Sequence, residues 1–137
     1  MKASFTLSVM ALVLLVAVVS AVPYMKIKKN SHACLSEDIG YGSEIVVVDY
    51  KRRRNQFADD VRVRVKVVSP TSGTNVHTSH AKVGTSSFSF RPLKEEVGEY
   101  IICFEFDPEH YGSYTDEQHV DIHVAIDHHD RKQILPK

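Results

Sequence analysis

Hydrophobic and polar positions alternate along this chain in short runs separated by turn residues. The clearest run is VRVRVKVV. Val61, Val63, Val65 and Val67 point one way and Arg62, Arg64 and Lys66 the other, as in a strand with one face in a core. GTSSFSFRP sets Phe88 and Phe90 against Ser87, Ser89 and Arg91, and QHVDIHVAID turns Val120, Ile122, Val124 and Ile126 inward. GEYIICFEFDP aligns Tyr100, Ile102, Phe104 and Phe106, with Ile101, Cys103 and Glu105 opposite. A strand apolar on both faces is expected to be covered on both. Glu44 to Tyr50 is a β-branched run, and NVHTSH reads as a further short strand.

The breaks are equally regular. SPTSGT is a turn punctuated by Pro70 and Gly73, LKEEVGEY is a charged turn, and DPEHYGSYTDE is a polar loop with Pro108 and Gly112. KRRRNQFADD is a charged interruption, expected to be a solvated hairpin loop. No long segment follows the helical period. Six to eight short strands with turns between them predict an all-β fold, an antiparallel β-sandwich. An immunoglobulin domain fits poorly: there is no tryptophan, Ile101 stands where a tyrosine corner needs Tyr, and Cys34 precedes the first strong strand.

The N-terminus follows a different pattern. Lys2 precedes an unbroken apolar run from Val9 to Val19, and Val19-Ser20-Ala21 supplies small or apolar residues at a cleavage site. Residues 1–21 are therefore expected to be a secretory signal peptide, 22–31 a loose lysine-bearing leader, 32–127 the sandwich and 128–137 a polar stub. A secretory route makes the two cysteines, Cys34 and Cys103, candidates for one bridge. Such a bridge would close a loop worth about 4 kcal/mol in the chain-entropy model. The competing reading is two buried free thiols.

Charge excludes more than it suggests. The 17 basic and 17 acidic residues balance, which gives no footprint for nucleic acid. Beyond the signal, no apolar stretch reaches the length of a membrane helix.

The ordered set of ACLSEDI at Cys34, SPTSGTNVH, SSFSFRPLKEEVGEYIICFEF and VDIHVAIDHHD resembles the lumenal GOLD (Golgi dynamics) domain of the 24-kilodalton transmembrane trafficking proteins. The motif positions fall on Cys34 with Glu37 and Asp38, on Pro70 and Gly73, on Phe88 and Phe90, and on Gly98, Glu99, Tyr100, Cys103 and Phe104. CLSEDI leans toward the delta-type members. The resemblance implies a GOLD-like sandwich with one inter-strand disulfide, Cys34–Cys103, fastening the N-terminal segment across the sandwich. It also implies a cargo receptor acting between endoplasmic reticulum and Golgi. Expected partners are protein cargo and other GOLD-domain proteins in hetero-oligomers. Coat proteins enter only if a full-length form carries a cytosolic tail, because the sequence as given ends before the coiled coil and membrane span of the family. The alternative is a secreted β-sandwich that binds a ligand or acts in adhesion.

Catalytic and metal patterns are not found. There is no Gly-x-Ser-x-Gly, no His-Glu-x-x-His and no phosphate-cradling glycine loop, so neither enzyme activity nor a cofactor is expected. His119 and His123 share a strand face but would lie about 13 Å apart, too far for one ion. Loop residues Arg52, Arg53, Arg54, Tyr111 and Tyr114 are the candidates for partner binding. Three asparagines are present, and none lies in a glycosylation sequon.

Overall fold

A computed structural model describes residues 24–40 and 44–130. The expected signal peptide lies outside these residues. Eight strands run in chain order: β1 (Met25–Lys28), β2 (His32–Ile39), β3 (Glu44–Arg52), β4 (Val63–Val68), β5 (Asn75–Ala81), β6 (Gly84–Phe90), β7 (Gly98–Phe106) and β8 (His119–Asp130). A short 3-10 helix, Pro108–Ser113, lies between β7 and β8.

The strands form two antiparallel four-stranded sheets, ordered β1-β8-β3-β6 and β2-β7-β4-β5. Their inner faces make one core. From the second sheet come Val63, Val65, Val67, Tyr100, Ile102, Phe104 and Phe106, and from the first Ile27, Val46, Val48, Tyr50, Phe90, Val120 and Ile122. Val61 is buried just ahead of β4. Phe88 and Val124, also expected in the core, pack against it while partly buried. Phe88 lies on an edge strand, with no strand beyond it to close over the ring.

Four expectations change. The stretch 22–31 is not a loose leader: Met25–Lys28 pairs with β8, burying Ile27 fully while Lys26 and Lys28 stay exposed. β8 continues to Asp130, three residues into the expected stub, because β3 pairs with it as far as Glu44. Cys34 lies inside β2. The outer face of β7 is uncovered, leaving Ile101 44% exposed, because nothing packs on that side of the second sheet among the described residues.

The motif Gly98-Glu99-Tyr100 has a structural basis. Gly98 opens β7 at φ 130°, and a Cβ there would meet the Pro70 ring at 3.5 Å. Glycine alone suits that backbone beside the turn at Pro70. Two residues on, the Tyr100 hydroxyl donates to the Glu96 carbonyl at 2.7 Å and accepts from the Leu93 amide at 2.9 Å, pinning the β6–β7 loop.

The Cys34–Cys103 disulfide is present. Its cysteines are directly opposed in β2 and β7, with Cα atoms 4.1 Å apart, on the outer face of one sheet. It therefore joins neighbouring strands and does not cross the sandwich.

Candidate interaction site at the loop end

At one end of the sandwich the β1–β2 turn, the β3–β4 loop and the β7–β8 connection come together. The run KRRR opens this end, and its three arginines have different fates. Arg52 is the last residue of β3 and points into the core side of its sheet, since inward positions continue from Val48 through Tyr50. It is 3% exposed, which corrects its place among the solvated loop residues. Its guanidinium donates to the carbonyls of Ala81 at 2.9 Å, Ala58 at 2.8 Å and Val61 at 2.7 Å. Burial pushes the Arg52 pKa down, while Asp59, Tyr114, Tyr50 and Asp60 act the other way. The group remains a cation. A buried charge is tolerable here because the guanidinium donates to three buried carbonyls, of which Ala58 also accepts from the Val61 amide at 3.1 Å.

Arg53 and Arg54 are exposed. The Arg53 guanidinium lies 4.5 Å from the centre of the Tyr24 ring, and its amide donates to the Asp121 carbonyl at 2.8 Å. Tyr111 is half-buried, with the Lys29 ammonium 6.0 Å from its ring centre. Tyr114 is buried: its ring meets Phe106 edge-on at 5.4 Å and its hydroxyl accepts from the Arg62 amide at 3.0 Å. It is a structural residue, not an accessible contact.

The residue that sequence reasoning passed over is Phe57. It is 73% exposed, the most of any large hydrophobic side chain among the described residues. The loop beneath it is tied down. The Asn55 amide donates to Asp59 Oδ1 at 2.7 Å, and the Phe57 amide to Asn55 Oδ1 at 3.1 Å. The Ala58 amide donates to the Asn55 carbonyl at 2.8 Å. Asn55 Nδ2 donates to the His119 carbonyl at 3.3 Å and Gln118 Nε2 to the Phe57 carbonyl at 3.1 Å, so two loops hold each other. Beside the ring lies a cleft of about 430 Å³ lined by Asn55, Phe57, Thr115, Glu117, Gln118 and His119. A signal for Phe57 was available: NQFADD places one aromatic among polar residues, with no alternating partner to draw it into a core.

Nearby, Asp107 caps the 3-10 helix, accepting from the Glu109 amide at 3.1 Å and facing His80 Nε2 at 3.1 Å. Asp107, Glu109 and His110 have ligand-type atoms within 4.8 Å of one another. The Asp107 oxygens are already engaged by Glu109 and His80. His119 and His123 sit on the outer face of β8, where the ring of His123 meets Tyr24 at 5.9 Å.

A rigid aromatic beside a polar cleft is suited to recognising another protein's surface. Family comparison gives this a setting. The model of the emp24/gp25L/p24 family/GOLD matches residues 24–137. The chain belongs to that family. Its GOLD domain is thus the sandwich described above, with the loop end as one of its two tips. No curated protein matches the chain. Among solved structures, one titled "Structure of infectious bursal disease virus Gt strain" is similar at 8% identity with a TM-score of 0.33, over 80% of this chain and 31% of the viral chain. This chain spans under a third of the length of that protein. Among the described residues of the GOLD domain, no helix is long and apolar enough to cross a membrane.

Proposed function

We propose that this GOLD domain is the lumenal recognition part of a cargo receptor in vesicle transport between endoplasmic reticulum and Golgi. It binds protein cargo and sister family proteins, and it does so through the end of the sandwich that carries Phe57. Family membership supports the trafficking role, and the motif set shared with the lumenal domains supports the compartment. The exposed Phe57 ring carries the assignment of the site. Displaying an apolar ring in water gives up the gain of burial, about 1.5–3 kcal/mol for a Phe side chain. Here the loop is hydrogen-bonded in that display, next to a cleft with amide, hydroxyl and carboxylate groups. The domain acts by binding and not by catalysis.

Retention in the secretory pathway tests the reading. The chain is expressed alone and with a full-length p24 family protein, and its release into the medium is followed by pulse-chase. The full-length protein should slow release of the wild-type chain and leave release of Phe57→Asp unchanged. Equal retention of both would remove Phe57 from the site, and no retention of either would remove the assembly role.

A further inference from the structure

Exposed disulfides are the ones that exchange with thiols, and the Cys34–Cys103 bridge is placed as one of them. It stands on the outer face of the second sheet, with Cys34 exposed and Cys103 half-buried. The register of the ladder fixes its surroundings. Lys66 of β4 is the direct neighbour of Cys103, on the side away from Cys34. In the next row toward one end of the strands, Glu105 lies between His32 and Arg64. In the next row toward the other end, Ile101 lies beside Val68. A groove of about 210 Å³ runs over the sulfurs, lined by His32, Cys34, Lys66, Val68, Cys103 and Glu105. Its acid is already occupied: Arg64 Nε donates to Glu105 Oε1 at 2.9 Å, and His32 Nδ1 lies 3.2 Å from Oε2. Lys66 is therefore the charge that stands beside Cys103.

We infer that this bridge is a thiol-exchange site whose substrate is a thiolate on another molecule. Exposure selects the sulfur attacked, because Cys34 Sγ is the one open to solvent. A new S–S bond forms between the incoming sulfur and Cys34 Sγ. The Cys34–Cys103 bond breaks, and its electron pair leaves with Cys103 Sγ as a thiolate. Lys66 offsets the negative charge that gathers there, and a stabilised thiolate leaves faster. Where the incoming molecule holds a second thiol, that group as thiolate attacks its own partner sulfur, frees Cys34 as a thiolate and departs as a disulfide. The bridge is then reduced and the dithiol oxidised, by two electrons each. Where it holds one thiol, Cys103 returns to Cys34 Sγ and expels it. The fold survives the opening, since β2 and β7 pair over eight residues and keep the two sulfurs opposed for closure. Ile101, 44% exposed, and half-buried Val68 offer apolar surface to the carrier of the thiol. No residue of the Phe57 cleft takes part, so the site stands or falls apart from the trafficking reading.

The test is exchange on the oxidised full chain made through a secretory host. Glutathione and a thioredoxin-type protein dithiol are the probes, one for a small thiol and one for a protein thiol. Samples are quenched with N-ethylmaleimide, which caps Cys103 as it is released, and mapped by mass spectrometry. Glutathione should be found on Cys34 with the maleimide on Cys103. The rate should be proportional to thiolate and unchanged by urea below the unfolding transition, and circular dichroism should keep its β signal. The probe that reacts faster per thiolate identifies the source of the thiol. With 2-mercaptoethanol, whose thiolate carries no other charge, Lys66→Glu should slow exchange at least about threefold, and Lys66→Arg should keep the wild-type rate. Exchange that climbs with urea would mean that the bridge opens only with the fold, and overturns the proposal. Glutathione on Cys103, a rate indifferent to the Lys66 charge, or a bridge inert to both probes overturns it as well.

Discussion

The Arg52 guanidinium and the Cys34–Cys103 bridge both tie together distant parts of the chain, by opposite means. Arg52 is buried and joins pieces that no ladder connects: the end of β3, the loop through Ala58 and Val61, and the end of β5 in the other sheet. The disulfide joins two strands already paired over eight residues, and Cys34 lies exposed on the outer face. Removing the bridge leaves the native contacts in place. Its contribution falls on the unfolded chain, where it closes a loop of 69 residues. Removing Arg52 takes a charged donor away from three buried carbonyls. One clamp thus acts on the native state and the other on the unfolded state.

The largest effect is therefore expected at Arg52. Arg52→Ala strips a charged donor from three buried carbonyls, of which Ala58 keeps the Val61 amide, and should cost about 3–5 kcal/mol, since hydrogen bonds to a charged donor contribute about 1.5–3 kcal/mol each and water entering the site recovers part. The denaturant slope should stay the same, because the unfolded chain is unaltered. Arg52→Lys keeps the charge but loses the fork and should fall between. Equilibrium denaturation checks all three statements, and a stable Arg52→Ala protein would show that this end does not depend on the guanidinium.

The paired change Cys34→Ser with Cys103→Ser should cost about 2–5 kcal/mol. Here the slope should rise, because an unfolded chain freed of its loop exposes more surface. A raised slope for the cysteine pair and an unchanged one for Arg52→Ala would establish the contrast. Equal slopes would place both clamps in the native state.

The two clamps also differ in how far the sequence reveals them. Cys34 and Cys103 are two residues of one reactive type in a chain that opens like a secretory one, and the strand around Cys103 alternates visibly. The period-two pattern of Val61 to Val67 and of Tyr100 to Phe106 likewise gives the second sheet most of its core. Arg52 offers no such signal. It belongs to a run of like charges, and only the register of β3, which carries inward positions one step past Tyr50, decides that it is buried while Arg53 is not. β1 was hidden for a related reason, since four residues with one buried isoleucine are too few for a period. The exposed face of β7 was misread because apolar residues on both sides say nothing of whether a second layer exists to cover them.

Acid should separate the loop end from the disulfide-bonded ladder. Burial pushes the Asp107 carboxyl up, but the Glu109 amide, the hydrogen bond and charge of His80, and the charge of His110 outweigh it, leaving its pKa below the ordinary carboxylate value. A depressed folded-state pKa contributes stability that is complete above the unfolded value, near 3.9, and is lost as pH falls through the folded value. Amide protection at Glu109, the residue that Asp107 caps, should drop in that window, while protection across β2 and β7, which the covalent bridge holds without titrating, should not. Asp107→Ala should cost about 1 kcal/mol near neutral pH, the usual cost of losing a helix cap, and should remove the acid-dependent loss at Glu109. Equal loss of protection in both regions would mean that the sandwich opens as one unit.

The smallest effect is expected five residues from the largest. Phe57 shares its loop with two of the carbonyls that Arg52 holds, yet its ring is 73% exposed, and the loop is tied through backbone groups and through Asn55, Asp59 and Gln118. None of those bonds involves the Phe57 ring. Phe57→Ala should therefore change stability by no more than about 0.5 kcal/mol, as for other exposed positions without special contacts. It should also leave the cost of Arg52→Ala unaltered in a double-mutant cycle, since the ring and the guanidinium have no shared partner. A coupling energy above about 0.5 kcal/mol would mean that the ring helps to pack the loop over Arg52. In that case its exposure could not be attributed to recognition, and the site at this end would lose its anchor.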